Sequence, residues 1–475
     1  MSVGKRPREI QHSLFVTTGE VKGPAHPFYD RLNELLREAG FDLFVEELVA
    51  EYYSNVGRRG LAPGIFFRML LIGYFEGLAS DRGIDWKCAD SLSLRRFLGI
   101  PLEQSTPDHS TLCKTRQRLP VEVHDAVFQF VLEQLATAGL LKGEGIAIDA
   151  SLLHANASLA SLVHNETGET YQEFLTRLAI ESGIPSPTKA DLKRIDKQRK
   201  ANKKSSNEDW HNPHDPDAKI KKTPRDGTKM TYKVEHAVDT ASGAILGAAI
   251  HLGNVGDTTS GIQTLELANE ALGKIIDACP NAPLPGNYIA ADKGYHSDAT
   301  LLGLEACGFE PVISEKKDNK NRDFGKNHEA QAANVRNRKR RQSEVGQRLR
   351  RTRAEYAERS FAHTLHRGDL RKTYLRGRSA IQKRWFVHTA AFNLGLLMRH
   401  HVGIGTPRRL QDMSAALLAI FALLFALWSA LRAANWSNSP PTRPSQSKSD
   451  RFAPINEQTR RHWVTSEMAY SSTAS

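Results

Sequence analysis

Gly145-Ile146-Ala147-Ile148-Asp149-Ala150-Ser151 and Asn287-Tyr288-Ile289-Ala290-Ala291-Asp292 are two apolar runs, each delivering a carboxylate at or near its end. Read as strands, the first places Ala147 and Asp149 on one face and Ile146 and Ile148 on the other, so a buried strand presents one acid. The second closes on Asp292 and passes into Lys293-Gly294-Tyr295-His296-Ser297. Strands end in aspartate for turn reasons too, so alternation alone decides little. A third acid strengthens the pattern. Glu358 lies in Tyr356-Ala357-Glu358-Arg359-Ser360-Phe361-Ala362, where Phe361, Ala362 and Leu365 follow it at helical spacings. Two strand acids and one helix acid suggest a site for a hard metal ion.

These motifs, GIAIDAS, AADKGYHS and ERSFAH, occur in order with a downstream LRGRSAIQKRWFVHTAAFNLGLLMRH. In that order the chain resembles the DDE transposases of bacterial insertion sequences, over residues 30 to 410. The resemblance implies an α/β fold: a ribonuclease-H-like mixed sheet flanked by helices. An all-helical DNA-binding domain would precede it, and a helix and a disordered tail would follow. One departure stands out. Enzymes of this type often carry Tyr, Arg and Lys around the glutamate as Y-x2-R-x3-E-x6-K, and at those spacings this chain has Arg351, Ala354 and Leu365. Glu358 is therefore assigned on ERSF, with Glu355 one turn earlier as its competitor.

The chain has 475 residues and a net charge of +12. That length is a prior for more than one structural unit, and the charge favours an extended anionic partner such as DNA. Cys88, Cys113, Cys279 and Cys307 are scattered without C-x2-C spacing, which supports neither a structural zinc site nor a disulfide framework. No signal peptide opens the sequence, and the expected location is the cytoplasm, on the nucleoid. The exception to this picture is the uncharged run MSAALLAIFALLFALWSAL between Asp412 and Arg432, about 28 Å long if helical. Its alanine content also suits a core or oligomer-facing helix, and membrane insertion is the less favoured reading.

The expected organisation is a flexible terminus (1–27), a helical DNA-binding and multimerisation domain (28–140), a catalytic domain (141–410), an apolar helix (411–433) and a disordered tail (434–475). Within the first domain a helix-turn-helix is predicted. Its first helix lies near Ser91 to Leu98, and its second opens at Ser105-Thr106-Pro107-Asp108, where Ser105 and Asp108 have capping-box spacing. Ser110, Lys114, Gln117 and Arg118 then share a face that suits phosphates and base edges, although a solvated face opposite Leu112 and Leu119 reads the same way.

A charged insertion near 158–228 reads as a flexible arm, and its His211, His214, Asp215 and Asp217 read as a turn more than a metal site. MTYKVEHAVD and AILGAAIHLG form a strand pair by alternation. A second basic tract before Glu358, with Arg336, Arg338, Lys339, Arg340 and Arg341, is expected at DNA, as are Lys293, Tyr295 and Arg359 beside the acids. Ile381, Trp385, His388 and Phe392 form a helical stripe read as core. No G-x4-G-K-[ST] loop is present, so no nucleotide cofactor is expected.

The resemblance implies that Asp149, Asp292 and Glu358 hold two divalent ions, Mg2+ or Mn2+. Water would cut at the element end and the freed 3′-hydroxyl would attack target DNA. The partners implied are double-stranded element ends and target DNA, with a homodimer or larger assembly on them. A catalytically silent DNA-binding protein and a nuclease that cuts without joining remain as alternatives.

Overall fold

The computed structural model describes residues 26–54, 56–57, 59–199, 206–223, 227–315, 324–325, 327–410 and 421–427. The chain divides into a unit of residues 1–412 and a second of residues 413–475. Of the second, only the helical stretch 421–427 is described, so most of the apolar run after Asp412 and the whole predicted tail lie outside the described residues. Among the described residues no helix is long and apolar enough to cross a membrane.

Seven helices come first: α1 (Pro27–Glu38), α2 (Phe41–Leu48), α3 (Pro63–Phe75), α4 (Asp81–Asp90), α5 (Leu92–Leu98), α6 (His109–Arg118) and α7 (Val121–Thr137). Proline at the first turn starts both α1 and α3, where its missing N–H costs nothing. Helix α1 buries Phe28, Leu32 and Leu36, a four-residue repeat, whereas α3 is buried almost all round and is the hub of this region. Arg68 of α3 is fully buried. Its guanidinium donates to both oxygens of Asp42 (2.7 and 3.0 Å) and to Asn33 Oδ1 (3.1 Å), and lies near the rings of Phe41 and Phe97. One side chain thereby ties α1, α2, α3 and α5 together. Helices α5 and α6 lie where the two helices of a helix-turn-helix were predicted, but residues 99–108 separate them and each packs on α4. The N-cap of α6 is Asp108, which accepts from Thr111 N at 2.7 Å, not Ser105 three residues earlier.

The sheet begins with β1 (Gly145–His154). After it come β2 (Val163–His164), α8 (Tyr171–Glu181), α9 (Lys189–Gln198), β3 (Trp210–His211) and β4 (Lys219–Thr223). The part of the insertion expected to be a flexible arm is thus partly ordered. Its helices have capping boxes at Thr170 and Thr188 and a small core of Leu175, Ala179 and Leu192. Three apolar residues at helical spacing suffice to pair two short helices even in a charged stretch.

Next come β5 (Gly227–Asp239), β6 (Ile245–Leu252), α10 (Asp257–Ala278), β7 (Tyr288–Ala291), α11 (Asp298–Ala306), β8 (Glu310–Ile313), α12 (His328–Gln342) and α13 (Glu344–Phe361). A π-helical turn (Ala362–Arg367) continues α13, and α14 (Arg378–Val402) closes the unit. The sheet is mixed. Strand β1 is antiparallel to β5 over its length, β5 pairs with β4 and then β6 on its other edge, and β7 and β8 add in parallel beyond β1. Helix α10 covers one face, α13 and α14 the other, and α14 also packs on α3 and α7. The helical region and the sheet therefore share a continuous hydrophobic core. The predicted stripe on α14 lies within it: Ile381, Trp385 and Phe392 are buried, and His388 Nε2 sits 2.9 Å from Thr364 O.

Candidate active site

Strand β7 pairs with β1 only at Gly145 to Ala147 and then ends, so the edge of β1 is open where Asp149 stands. The chain leaving β7 turns at Asp292, whose Oδ1 caps a short 3-10 turn by accepting from Gly294 N at 2.7 Å. The result is a notch at the carboxyl ends of two parallel strands, the place where open α/β sheets tend to hold ligands. Register fixes which way Asp149 faces. It lies opposite His236 of β5, whose ring stacks on Phe361 (4.4 Å) and near Trp385 (5.2 Å), so Asp149 shares the α13 side of the sheet.

Three acids chosen from sequence meet electrostatically here. Burial pushes the Asp149 carboxyl up to about 6; the Ala150 amide and Arg353 pull it down, and the charges of Asp292 and Glu358 raise it again. Arg353, one of the residues not picked out from sequence, places Nη1 3.2 Å from Asp149 Oδ2. It lies five positions before Glu358 on α13, and an arginine there carries no motif of its own. Glu358 is exposed at the rim of α13, while its competitor Glu355 is ion-paired with Arg359. The three carboxylates do not converge on one point: among the described residues no three His, Cys, Asp or Glu side chains form a ready cluster for an ion. They are near enough to repel, and Arg353 supplies the positive charge at Asp149.

Beneath the notch lies a buried polar network that the sequence reading missed. Glu235 of β5 is fully buried and accepts from Ser260 (2.9 Å), Thr264 (2.7 Å) and Tyr295 (2.7 Å), with Lys233 Nζ at 3.2 Å and His251 Nε2 at 3.3 Å. Burial raises its pKa, but the His251 contact, Lys233 and the hydroxyl donors outweigh that and hold it at about 2. Lys233 also reaches Asp257 at 2.6 Å. Lys233 and Glu235 on one face of an apolar strand, two residues apart, were the available signal for it. The network corrects one expectation. Tyr295 is buried, with its hydroxyl spent on Glu235, and so anchors the turn after Asp292 instead of facing DNA. Lys293 is exposed on that same turn.

The residues expected at DNA fall into two groups. On α6, Lys114 and Gln117 are exposed and Ser110 is half-buried, bonded to Asp108 (2.9 Å). Arg118 is also half-buried and lies over the ring of Tyr53 (4.8 Å). In the basic tract most of the charge is neutralised within the fold. Arg338 pairs with Glu315 (2.8 Å), Arg340 with Glu305 (2.7 Å) and Glu310 (3.4 Å), and Arg336 with Glu305 (2.5 Å). These contacts fasten α12 to α11 and β8. Lys339 is exposed. Arg359 is held by Glu355 and lies over the Tyr356 ring at 5.2 Å. The acid at Asp215, read as part of a turn, is buried and accepts from Tyr232 (2.5 Å) and Gly377 N (3.0 Å), a structural role.

Comparison with known proteins gives two matches. A family model described as Transposase domain (DUF772) matches residues 19–118, and one described as Transposase DDE domain matches residues 196–394. The second spans Asp292 and Glu358 and begins after Asp149. No curated protein and no solved structure matches the chain. The matches fall on the helical region and on the sheet with its covering helices, and they place the chain among the DDE-type insertion-sequence transposases.

Proposed function

We propose that the protein binds the terminal inverted repeats of its element and catalyses metal-dependent DNA cleavage and strand transfer, with Asp149, Asp292 and Glu358 as the catalytic acids. The observation carrying this reading is the position of Asp149. It is a largely buried carboxyl at an open strand edge, raised to about 6 by its burial and by the other two acids. A structural carboxylate is normally stabilised by its surroundings, as Glu235 is; a ligand carboxylate is left strained until a cation arrives. The donor set fits oxygen-preferring Mg2+ or Mn2+. Divalent ions held there would supply activation of the attacking oxygen and stabilisation of the departing one.

The remaining work belongs to the chain's own groups. Arg353 balances the charge of Asp149, and a cation arriving at the carboxylate would compete with it. Tyr295 and Glu235 fix the turn that aims Asp292. Glu358, on the same helix as Arg353, closes the site from above. Lys114 and Gln117 of α6 have the exposure needed to read a major groove, and Lys293 that needed to meet a phosphate near the acids.

The test incubates purified protein with labelled linear DNA carrying the element's ends, a plasmid target and Mg2+ or Mn2+, beside Asp149→Asn. Metal-dependent joined product that the substitution abolishes is expected. Cleavage without joining would identify a nuclease. Binding with neither reaction would identify a DNA-binding protein on this fold.

A further inference from the structure

The chain's densest basic run, Arg336 to Arg341, is largely neutralised by Glu305, Glu310 and Glu315. Four arginines distant in sequence behave differently. Arg367 ends the π-helical turn that continues α13, Arg399 lies near the end of α14, and Arg408 and Arg409 follow it. Arg367, Arg408 and Arg409 line a cavity of about 390 Å³ with Tyr74 and His363, and Arg399 is near enough to feel the charges of Arg409 and Arg367. Among the described residues, none of the four forms an ion pair with a carboxylate.

Their fixed contacts are few. Arg408 donates to Glu76 O (2.9 Å). Arg399 packs against Gly405, and its Nε is buried without a hydrogen-bond partner. Gly77 makes the approach possible, because a Cβ there would stand 2.7 Å from both the Arg367 carbonyl and the Arg408 guanidinium. The mutual repulsion is visible in the neighbours. His363 is driven down to about 4 by burial and then by Arg367, Arg399 and Arg359, and Arg399 is itself lowered by burial, Arg409 and Arg359. Like charges gathered around an open, partly apolar cavity cost stability unless an anion joins them.

We propose that this cavity binds the phosphodiester backbone of DNA. The inference rests on the transposase reading and adds to it a backbone clamp. Arg367 lies nine residues beyond Glu358, roughly 13 Å at 1.5 Å per residue. That is about four base pairs of duplex at ~3.4 Å each, so the clamp would grip DNA close to the reacting phosphate.

The experiment measures binding of the full chain to a fluorescein-labelled duplex of mixed sequence, by anisotropy, between about 50 and 200 mM salt. Wild type should show a steep fall of log K with log salt. Arg367→Gln with Arg409→Gln should lower that slope by about two, at ~0.9 per phosphate contact, and weaken binding roughly tenfold. Arg367→Lys with Arg409→Lys should keep the slope, since counterion release needs only the charge. The glutamine variant should melt no lower than wild type, because it removes repulsion and no ion pair.

A wild-type slope retained in the glutamine variant overturns the clamp while leaving the transposase reading intact. A wild type that does not bind duplex at all overturns that reading and the clamp with it. A marked drop in the variant's melting temperature shows the arginines to be structural and also refutes the clamp. Stabilisation of wild type by inorganic phosphate with no change in the duplex slope would assign the cavity to a small anion instead.

Discussion

Asp149→Asn should stabilise the protein at neutral pH, which is an unusual expectation for removing one partner of an ion pair. The Asp149 carboxyl rises from its ordinary 3.8 to about 6. The folded state therefore binds the proton more tightly than the unfolded one, and whatever stability the protonated acid provides is present below about pH 4 and lost as pH rises through 6. At 1.36 kcal/mol per pH unit the loss by pH 7.5 is about 3 kcal/mol. With the side chain 23% exposed, solvent reduces the figure, and about 1–3 kcal/mol is expected. Asparagine keeps the shape and carries no charge to desolvate, although its single oxygen can serve Arg353 or the Ala150 amide and not both. The gain corresponds to a melting temperature higher by about 1–4 °C at pH 7.5 for a unit of this length, falling to about half at pH 5. Adding about 10 mM MgCl2 should narrow the gap, because an ion bound with a Kd of ~1 mM stabilises only wild type, by about 1.4 kcal/mol. The assay is a thermal melt of both proteins across pH 5 to 8, with and without Mg2+. If Asp149→Asn melts lower than wild type at pH 7.5, or if the gap ignores pH, the carboxylate is an ordinary structural partner of Arg353. The strained-ligand argument would then be wrong.

Glu235→Gln should act in the opposite direction. Its depressed pKa means that its contribution is complete at neutral pH and lost as pH falls towards about 2, so the variant should lose about 3 kcal/mol at pH 7 in urea unfolding; an unchanged midpoint would refute the network's role. Gly145→Ala brings a Cβ to 2.0 Å from the Tyr288 carbonyl, which should force β1 and β7 apart at a cost of about 3 kcal/mol, read as a lower melting temperature; wild-type stability would count against the close pairing. On α6, Lys114→Ala should weaken binding equally on element-end and scrambled duplexes and lower the salt slope by about 1. Gln117→Ala should instead erode the preference between those duplexes by about 1–3 kcal/mol, and equal losses on both would remove Gln117 from base recognition.

Period-two alternation made β1 and β7 readable, because a strand buried on both faces leaves few ways to place its one acid. The apolar run read as a strand stops at Ser151, but β1 continues to His154 because β5 pairs with it all the way. That partner is a property of the sheet, invisible in the run itself. Glu358 could be placed on a helix from Phe361, Ala362 and Leu365, yet nothing local showed that Arg353 would turn towards Asp149. Tyr295 was misplaced for a related reason: a tyrosine three residues after Asp292 reads as a surface group until its hydroxyl is seen to meet Glu235, 60 positions away. The basic tract misled most. Counting charge along the chain could not reveal that Glu305, Glu310 and Glu315 lie across from it, nor that four separate arginines gather elsewhere.

One helix connects these features. Arg353, Glu358 and, through the π-helical turn, Arg367 lie on a single continuous element, so a small axial shift of α13 would move all three together. Its inner face is fixed by Ser360, whose hydroxyl is 2.8 Å from His236 Nδ1, and by Phe361 stacked on the same ring. His236 is in turn the cross-strand neighbour of Asp149. The acid on the sheet and the acid on the helix are therefore referenced to one buried imidazole, which burial keeps neutral by lowering its pKa to about 3. A neutral ring adds no charge to a site that already balances three carboxylates against one arginine. It can position both sides without competing with a cation for the carboxylates.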